Sequence, residues 1–300
     1  MTSETSRQVR QAEFIKTIRR FFDAQGFHEI IAPVLNHAIP IEEHITPFTT
    51  VWKTIDGERH MYLPASPERA LKLALANGVG NCYSIGHSFR NLEQVGPHHS
   101  PEFLMLEWYR ADATAHDIMR DSQKLIRFLC HPERSAAESK DSFPRLSLLD
   151  LFLRHTGFDL RTGDLLTHMR QKGYQTAGAT WHELFDQLFL NEIEPHLPKE
   201  PFFLVDFPKR ISPLCKAKEH DPLIADRFEL YFNGIEIGNG NTEETDSNLV
   251  RAEFERLSRE KHMPIDEEFL SALDSLHGKS YAGIGIGVER LNLVLGTSEP

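Results

Sequence analysis

The chain has 300 residues, of which 40% are hydrophobic and 26% charged, and a net charge of −11. This is enough material for one large or two small hydrophobic cores, with no run near the roughly 18 consecutive apolar residues of a membrane span. The N-terminus, MTSETSRQVRQAEF, has no apolar signal segment, and the acidic balance weighs against a surface gripping nucleic acid through many phosphates.

Val9, Ala12, Ile15, Ile18 and Phe22 recur at helical spacing and predict a helix over 6–25 that stops at Gly26. A strand over 27–32 follows, ended by Pro33. Strands 48–52 and 59–63 flank the hairpin signal Asp56-Gly57. Ser66-Pro67-Glu68 opens a helix, with serine as cap, proline at the first helical position and an acid in the first turn. That helix runs through Leu71 and Leu75 to Asn77-Gly78. A strand reaching Arg90, a polar His-rich loop and a strand over 102–109 make a central hairpin. A helix over 117–129 precedes HPERSAAESKD (131–141), a polar stretch expected as a surface insertion, with a helical continuation as the alternative. Helices over 146–155, 164–171 and 181–191 are followed by a buried strand over 202–207. Strands 228–232 and 235–238 flank Asn233-Gly234, the strongest hairpin signal in the chain. A helix over 249–262, a strand over 281–287 and a helix to about 295 complete the set. Strands joined by hairpins predict an antiparallel sheet flanked by helices, an α+β fold in a single domain. Cys82, Cys130 and Cys215 are scattered, without metal-ligand spacing. They are expected as small buried residues of a cytoplasmic protein.

Two segments carry chemistry. In FRNLEQVGPHHSPEFLMLEWY (89–109), Arg90 ends a strand, and Glu107 and Tyr109, two apart, share one strand face. In GIGIGVER (283–290), alternate glycines strip one strand face to backbone, and Arg290 follows. Two arginines and a bare strand suit a triphosphate and a planar base. In the Asn233-Gly234 hairpin, a two-residue turn pairs Phe232 with Ile235, Tyr231 with Glu236 and Glu229 with Gly238. Glu229 and Glu236 then share a face on a diagonal of about 7–8 Å. Two such carboxylates suit Mg²⁺ bound with ATP phosphates; an exposed acidic face is the plainer reading.

These segments, with the first helix and FHEIIAPVL, resemble the three signature motifs of class II aminoacyl-tRNA synthetases. Within that superfamily the chain is similar to the lysyl branch, most of all to free-standing paralogues that attach a lysine-type amino acid to elongation factor P. The resemblance implies that a carboxylate attacks the ATP α-phosphate, giving an aminoacyl-adenylate and pyrophosphate, before transfer to an acceptor amine. Arg90 and Arg290 are the expected catalytic residues. Arg90 bridges the amino-acid carboxylate and the α-phosphate, and Arg290 takes the γ-phosphate end, where an arginine fork fits better than a lysine. ATP contacts are implied for Asn91, Glu93, His99, Ser100, Ile237 and Gly287, and Mg²⁺–ATP for Glu229 and Glu236. Ser66, Pro67, Glu68, Glu107, Tyr109, Asn239, Glu243 and Gly285 map onto the amino-acid pocket, whose carboxylates pair lysine or β-lysine.

The chain departs from the family pattern in several places. Arg90-Asn91-Leu92-Glu93 is one residue longer than the usual Arg-x-Glu, which gives Glu93 the adenine role. Pro97-His98 stands where an arginine is usual, Ser100 replaces asparagine, and Asn241-Thr242 replaces an aromatic and a small polar residue. Gly285 matches lysyl-tRNA synthetases, whereas the elongation factor P ligases typically carry alanine. The first helix begins almost at Met1, so no anticodon-binding domain is expected and tRNA is an unlikely partner. A homodimer is expected, with Ile15, Ile18 and Phe22 partly at its two-fold interface. Other acceptors, or a catalytically weakened regulatory paralogue, are the alternatives.

Overall fold

The computed structural model describes residues 3–92, 100–130 and 142–296. Glu93, Pro97, His98, His99 and the stretch 131–141 lie outside the described residues. The first helix, α1 (Ser3–Ala24), closes at Gly26, whose left-handed φ of 73° glycine adopts without strain. The strand expected over 27–32 shrinks to β1 (His28–Glu29), a sheet edge that Pro33 cannot extend because it has no N–H. Strands β2 (Thr49–Thr54) and β3 (Gly57–Tyr62) form a separate hairpin that turns at Ile55-Asp56.

Helix α2 (Glu68–Ala76) starts one residue later than expected. Pro67 is the cap residue, and Ser66 Oγ accepts from the Glu68 N–H at 3.2 Å. Strands β4 (Cys82–Phe89) and β5 (Glu102–Ala111) form the central hairpin and α3 (Ala115–Cys130) follows. The helix expected over 146–155 is split. Strand β6 (Arg145–Ser147) joins the sheet edge, and Ser147 then caps α4 (Leu148–Thr156) through Asp150 N. Helices α5 (Leu165–Gln171) and α6 (Trp181–Leu188) precede β7 (Phe202–Val205) and the small hairpin β8 (Ala217–Lys218) and β9 (Asp221–Ala225). The second main hairpin is β10 (Arg227–Phe232) and β11 (Ile235–Thr242). Helices α7 (Ser247–Lys261) and α8 (Glu267–Leu276), strand β12 (Tyr281–Gly287) and helix α9 (Val288–Val294) end the described chain. Helix α8 is absent from the sequence expectation; Asp266 caps it by accepting from Phe269 N.

The main sheet has the order β1-β4-β5-β12-β11-β10-β7-β6. Every pairing from β4 to β7 is antiparallel, and the edge strands β1 and β6 run parallel to their neighbours. One face carries Leu106, Trp108, Phe203, Phe228, Leu230, Ile284 and Ile286, packed with Phe14, Ile18 and Phe22 of α1, Ile118 and Leu125 of α3, and Leu291 of α9. Phe22 stacks on Tyr83 at 4.5 Å and meets Trp108 at 5.2 Å. Burying such a side chain is worth roughly 1.5–3 kcal/mol. Ile18 and Phe22 are therefore core residues of the protomer, which corrects the expectation that they lie partly at an interface. Cys82 and Cys215 are buried as expected, but Cys130, at the end of α3, is exposed.

The β10–β11 pairing departs from the expected register. Phe232 pairs with Ile235 and Tyr231 with Glu236, but Leu230 then pairs with Gly238 and Glu229 with Asn239. The extra residue is a β-bulge. Ile237 lies in the core with Leu230, and a Cβ on Gly238 would meet Ile286 and Ile284, so two successive residues face the helix-covered side. The bulge thereby lets Glu236 and Asn239, three apart, both face the other side of the sheet, which strict alternation forbids.

Candidate active site

That other face is built as rows. Across five strands, Ser84, Glu107, Gly285, Asn239 and Glu229 stand side by side; the next row is Cys82, Tyr109, Gly283, Asn241 and Arg227. Two cavities open over these rows. One, of about 370 Å³, is lined by Glu42, Ser66, Glu68, Arg90, Met105, Glu107, Tyr109, Asn239, Asn241, Glu243, Gly283 and Gly285, among others. The second, of about 500 Å³, is lined by Ser100, Phe103, Glu236, Ile237, Gly238, Gly287 and Arg290, among others, with Glu42, Ile45, Arg90, Met105, Asn239 and Gly285 shared with the first. Arg90 thus stands at the junction. Its Cζ lies 5.4 Å from the Phe103 ring centroid, and its buried Nε has no hydrogen-bond partner among the described residues. An orphaned guanidinium N–H between two cavities fits an anion that spans them. Arg290 holds the far end of the second cavity, where its Nη1 donates to the Glu236 carbonyl at 3.1 Å.

The first cavity ends in carboxylates. Tyr109 Oη donates to Glu107 Oε1 at 2.7 Å, yet burial, reinforced by the charge of Glu68, pushes the Glu107 carboxyl up to about 8. Burial also raises Glu243, against the pull of Lys72. The Lys72 ammonium sits between two of these acids, 2.5 Å from Glu68 Oε1 and 2.7 Å from Glu243 Oε2. Gly283 packs tightly: a Cβ there would lie 2.4 Å from the Tyr109 ring. Gly285 has room, with Met105 Sδ at 3.2 Å and Glu107 Oε2 at 3.8 Å from such a Cβ.

Most of the residues singled out from the sequence converge here, and a few stand apart. Asn91 lines neither cavity; its Oδ1 accepts from Leu92 N at 2.9 Å. Pro67 caps α2 behind Ser66. Glu229 lies beside the cavities, accepting from Arg227 Nη2 at 2.7 Å and from Tyr231 Oη at 3.1 Å. Burial, then repulsion from Glu236, pushes its carboxyl up to about 7. Such mutual repulsion is what a divalent cation relieves, so this acid pair fits Mg²⁺.

Three contributors escape the sequence reading: Lys72, Glu42 and Met105. Lys72 had a signal, an acid–lysine spacing of four within the apolar run ERALKLALA. Glu42 had a weaker one, an acid pair bracketed by Ile41 and Ile45. It lines both cavities, and burial followed by the charge of Glu68 raises its carboxyl.

Residues 3–299 match the family model for class II tRNA synthetases of the D, K and N type. The chain belongs to that family. It is similar, at 33% identity over 97% of its length and 91% of the relative's, to the Elongation factor P--(R)-beta-lysine ligase of Edwardsiella ictaluri (strain 93-146). The proteins of the same name from Proteus mirabilis (strain HI4320) and Yersinia enterocolitica are 34% and 35% identical, each over 94% of this chain and 89% of the relative. Membership makes the protein a ligase that uses ATP. The acid-lined cavity is the one suited to an amino acid, the arginine-flanked cavity over Gly287 the one suited to the nucleotide. No described helix is long and apolar enough to cross a membrane.

Proposed function

We propose that this class II enzyme activates lysine or β-lysine as an aminoacyl-adenylate and transfers it to a lysine of elongation factor P. The observation that carries this reading is the set of three carboxylates, buried Glu107 and Glu243 with half-buried Glu68, closing a cavity whose only arginine junction, among the described residues, to the nucleotide side is Arg90. Buried carboxylates attract ammonium groups and reject acidic substrates. The substrate carboxylate is then left at Arg90, beside the site for the α-phosphate. There its oxygen attacks phosphorus and pyrophosphate leaves. Neutralising charge and holding both anions in line is the main demand of this step. In the second step the acceptor amine attacks the acyl carbon, loses a proton, and AMP leaves.

Glu229 and Glu236 would hold Mg²⁺, which when bound neutralises phosphate charge. The names of the relatives support elongation factor P as acceptor, and the net charge of −11 weighs against tRNA. A cytoplasmic homodimer completes the reading. ATP–pyrophosphate exchange with a panel of amino acids tests it. Both lysine isomers should support exchange and norleucine should not. Glu243→Gln should fold normally and lose about 10- to 150-fold in exchange, the equivalent of one charged hydrogen bond of roughly 1.5–3 kcal/mol. Exchange with neither isomer would overturn the proposal.

A further inference from the structure

We infer that Lys72 is a positioning residue that sets the amino-acid cavity to accept two ammonium groups; this rests on the lysine-type substrate proposed above. Lys72 is 4% exposed. It touches Glu68 and Glu243 at 2.5 and 2.7 Å, and its Nζ lies 5.7 Å from the Tyr109 ring centroid and 5.4 Å from that of Phe269. Both carboxylates line the cavity and Lys72 does not, so the ammonium grips them from behind. A buried lysine held by two acids and two aromatic faces has no freedom to leave.

The charge count follows. Glu107 holds its proton in the empty cavity and gives it up when an ammonium group arrives; Glu68, Glu107 and Glu243 then bring three negative charges to the ligand, and Lys72 cancels one. The remaining two match a diamino acid, whose carboxylate is taken by Arg90. A monoamino acid leaves one buried charge uncompensated, so the same count rejects it. Without Lys72, Glu68 and Glu243 would repel each other and Glu107, and a second of these acids would hold a proton against the ligand. A protonated acid is a poor acceptor for an ammonium group. Removing this cation from a cation-binding cavity therefore weakens lysine binding, the reverse of what simple charge repulsion predicts.

A double-mutant cycle on exchange kinetics reads this directly, using Lys72→Met, Glu68→Gln and both together. Lys72→Met should raise KM for lysine by about tenfold or more, with KM for ATP nearly unchanged. Glu68→Gln leaves a single net charge and should also raise it. The double variant restores the two-charge count and should bind lysine more tightly than either single variant. Losses that simply multiply would overturn the inference, as would a lower lysine KM in Lys72→Met. If Lys72→Met does not fold, the comparison moves to Lys72→Arg and the double variant. Lys72→Arg should keep lysine KM within a few-fold, and a double variant no better than Glu68→Gln would refute the idea. A wild type that exchanges neither isomer removes the substrate reading and this inference together. A wild type that exchanges lysine while the losses multiply removes the inference alone.

Discussion

Glu107 holds its proton at a pH where an unfolded chain has lost it, because burial and then Glu68 raise its carboxyl to about 8; burial and Glu236 do the same to Glu229, up to about 7. The native state gains stability from such protons below the ordinary carboxylate range and loses it as pH rises through those values. The ligand-free protein should therefore lower its Tm between about pH 5 and 8, and Glu107→Gln should flatten that slope in thermal melts. Lysine, by bringing ammonium groups to Glu107, should reverse part of the loss. At the neighbouring Gly285, an added methyl meets only the adaptable Met105 thioether and the edge of Glu107, so the fold should tolerate it. For the lysine-type substrate proposed above it narrows the cavity, and should leave less room for an α-amino group than for a β-amino group. The wild type should activate α-lysine at least as well as β-lysine, and Gly285→Ala should shift preference toward the β-isomer by about 10- to 200-fold, read by exchange with both isomers. Glu107 and this glycine were legible in the sequence because strand alternation puts them on one sheet face; Glu68, Glu243, Arg90 and Arg290 stand on helices and loops and were legible only through the motifs around them. Lys72 was not, since a lysine in an apolar helix reads as a solvated edge until its partners, one of them 171 positions away, are brought to it.

Among the elements, the β10–β11 hairpin shows where pattern reading succeeds and where it stops. Asn233-Gly234 fixes the turn, and both residues take the positive φ that such a turn needs. The bulge four residues on has no local signature, because its cause is across the sheet. Gly238 must lie against Ile286 and the Gly285 carbonyl, closer than any side chain permits. Gly238→Ala should destabilise the protein by about 1–3 kcal/mol in chemical denaturation, more than Gly285→Ala, because backbone on β12 cannot yield as Met105 can. The long amphipathic helices and central strands were legible from period alone. The three-residue edge strand β6 was not, and the strand read over 27–32 was too long for the two-residue β1, since so short a segment has no period to read and is a strand only by virtue of its neighbour.

At the scale of the whole molecule, apolar surface is left uncovered on one side. Ile31, Val34 and Leu35 follow β1, and Val51, Trp52 and Ile55 lie on the β2–β3 hairpin; each is at least 41% exposed. Asn36 bridges to Tyr62 of that hairpin, which brings the two stretches together. Clustered exposed apolar residues mark contact surfaces. Light scattering at micromolar concentration should give the mass of a dimer, and Ile31→Glu combined with Trp52→Glu should shift it toward monomer with the melting transition retained. Within the chain the two cavities share one wall of Glu42, Ile45, Arg90, Met105, Asn239 and Gly285. A molecule occupying both is tethered to itself: once one half is docked, the other meets its subsite at a high effective concentration. The adenylate is such a molecule, and its two halves, amino acid and nucleotide, are each held more weakly alone. In the proposed reaction the shared wall should therefore make this intermediate the species released most slowly, held until an acceptor amine arrives.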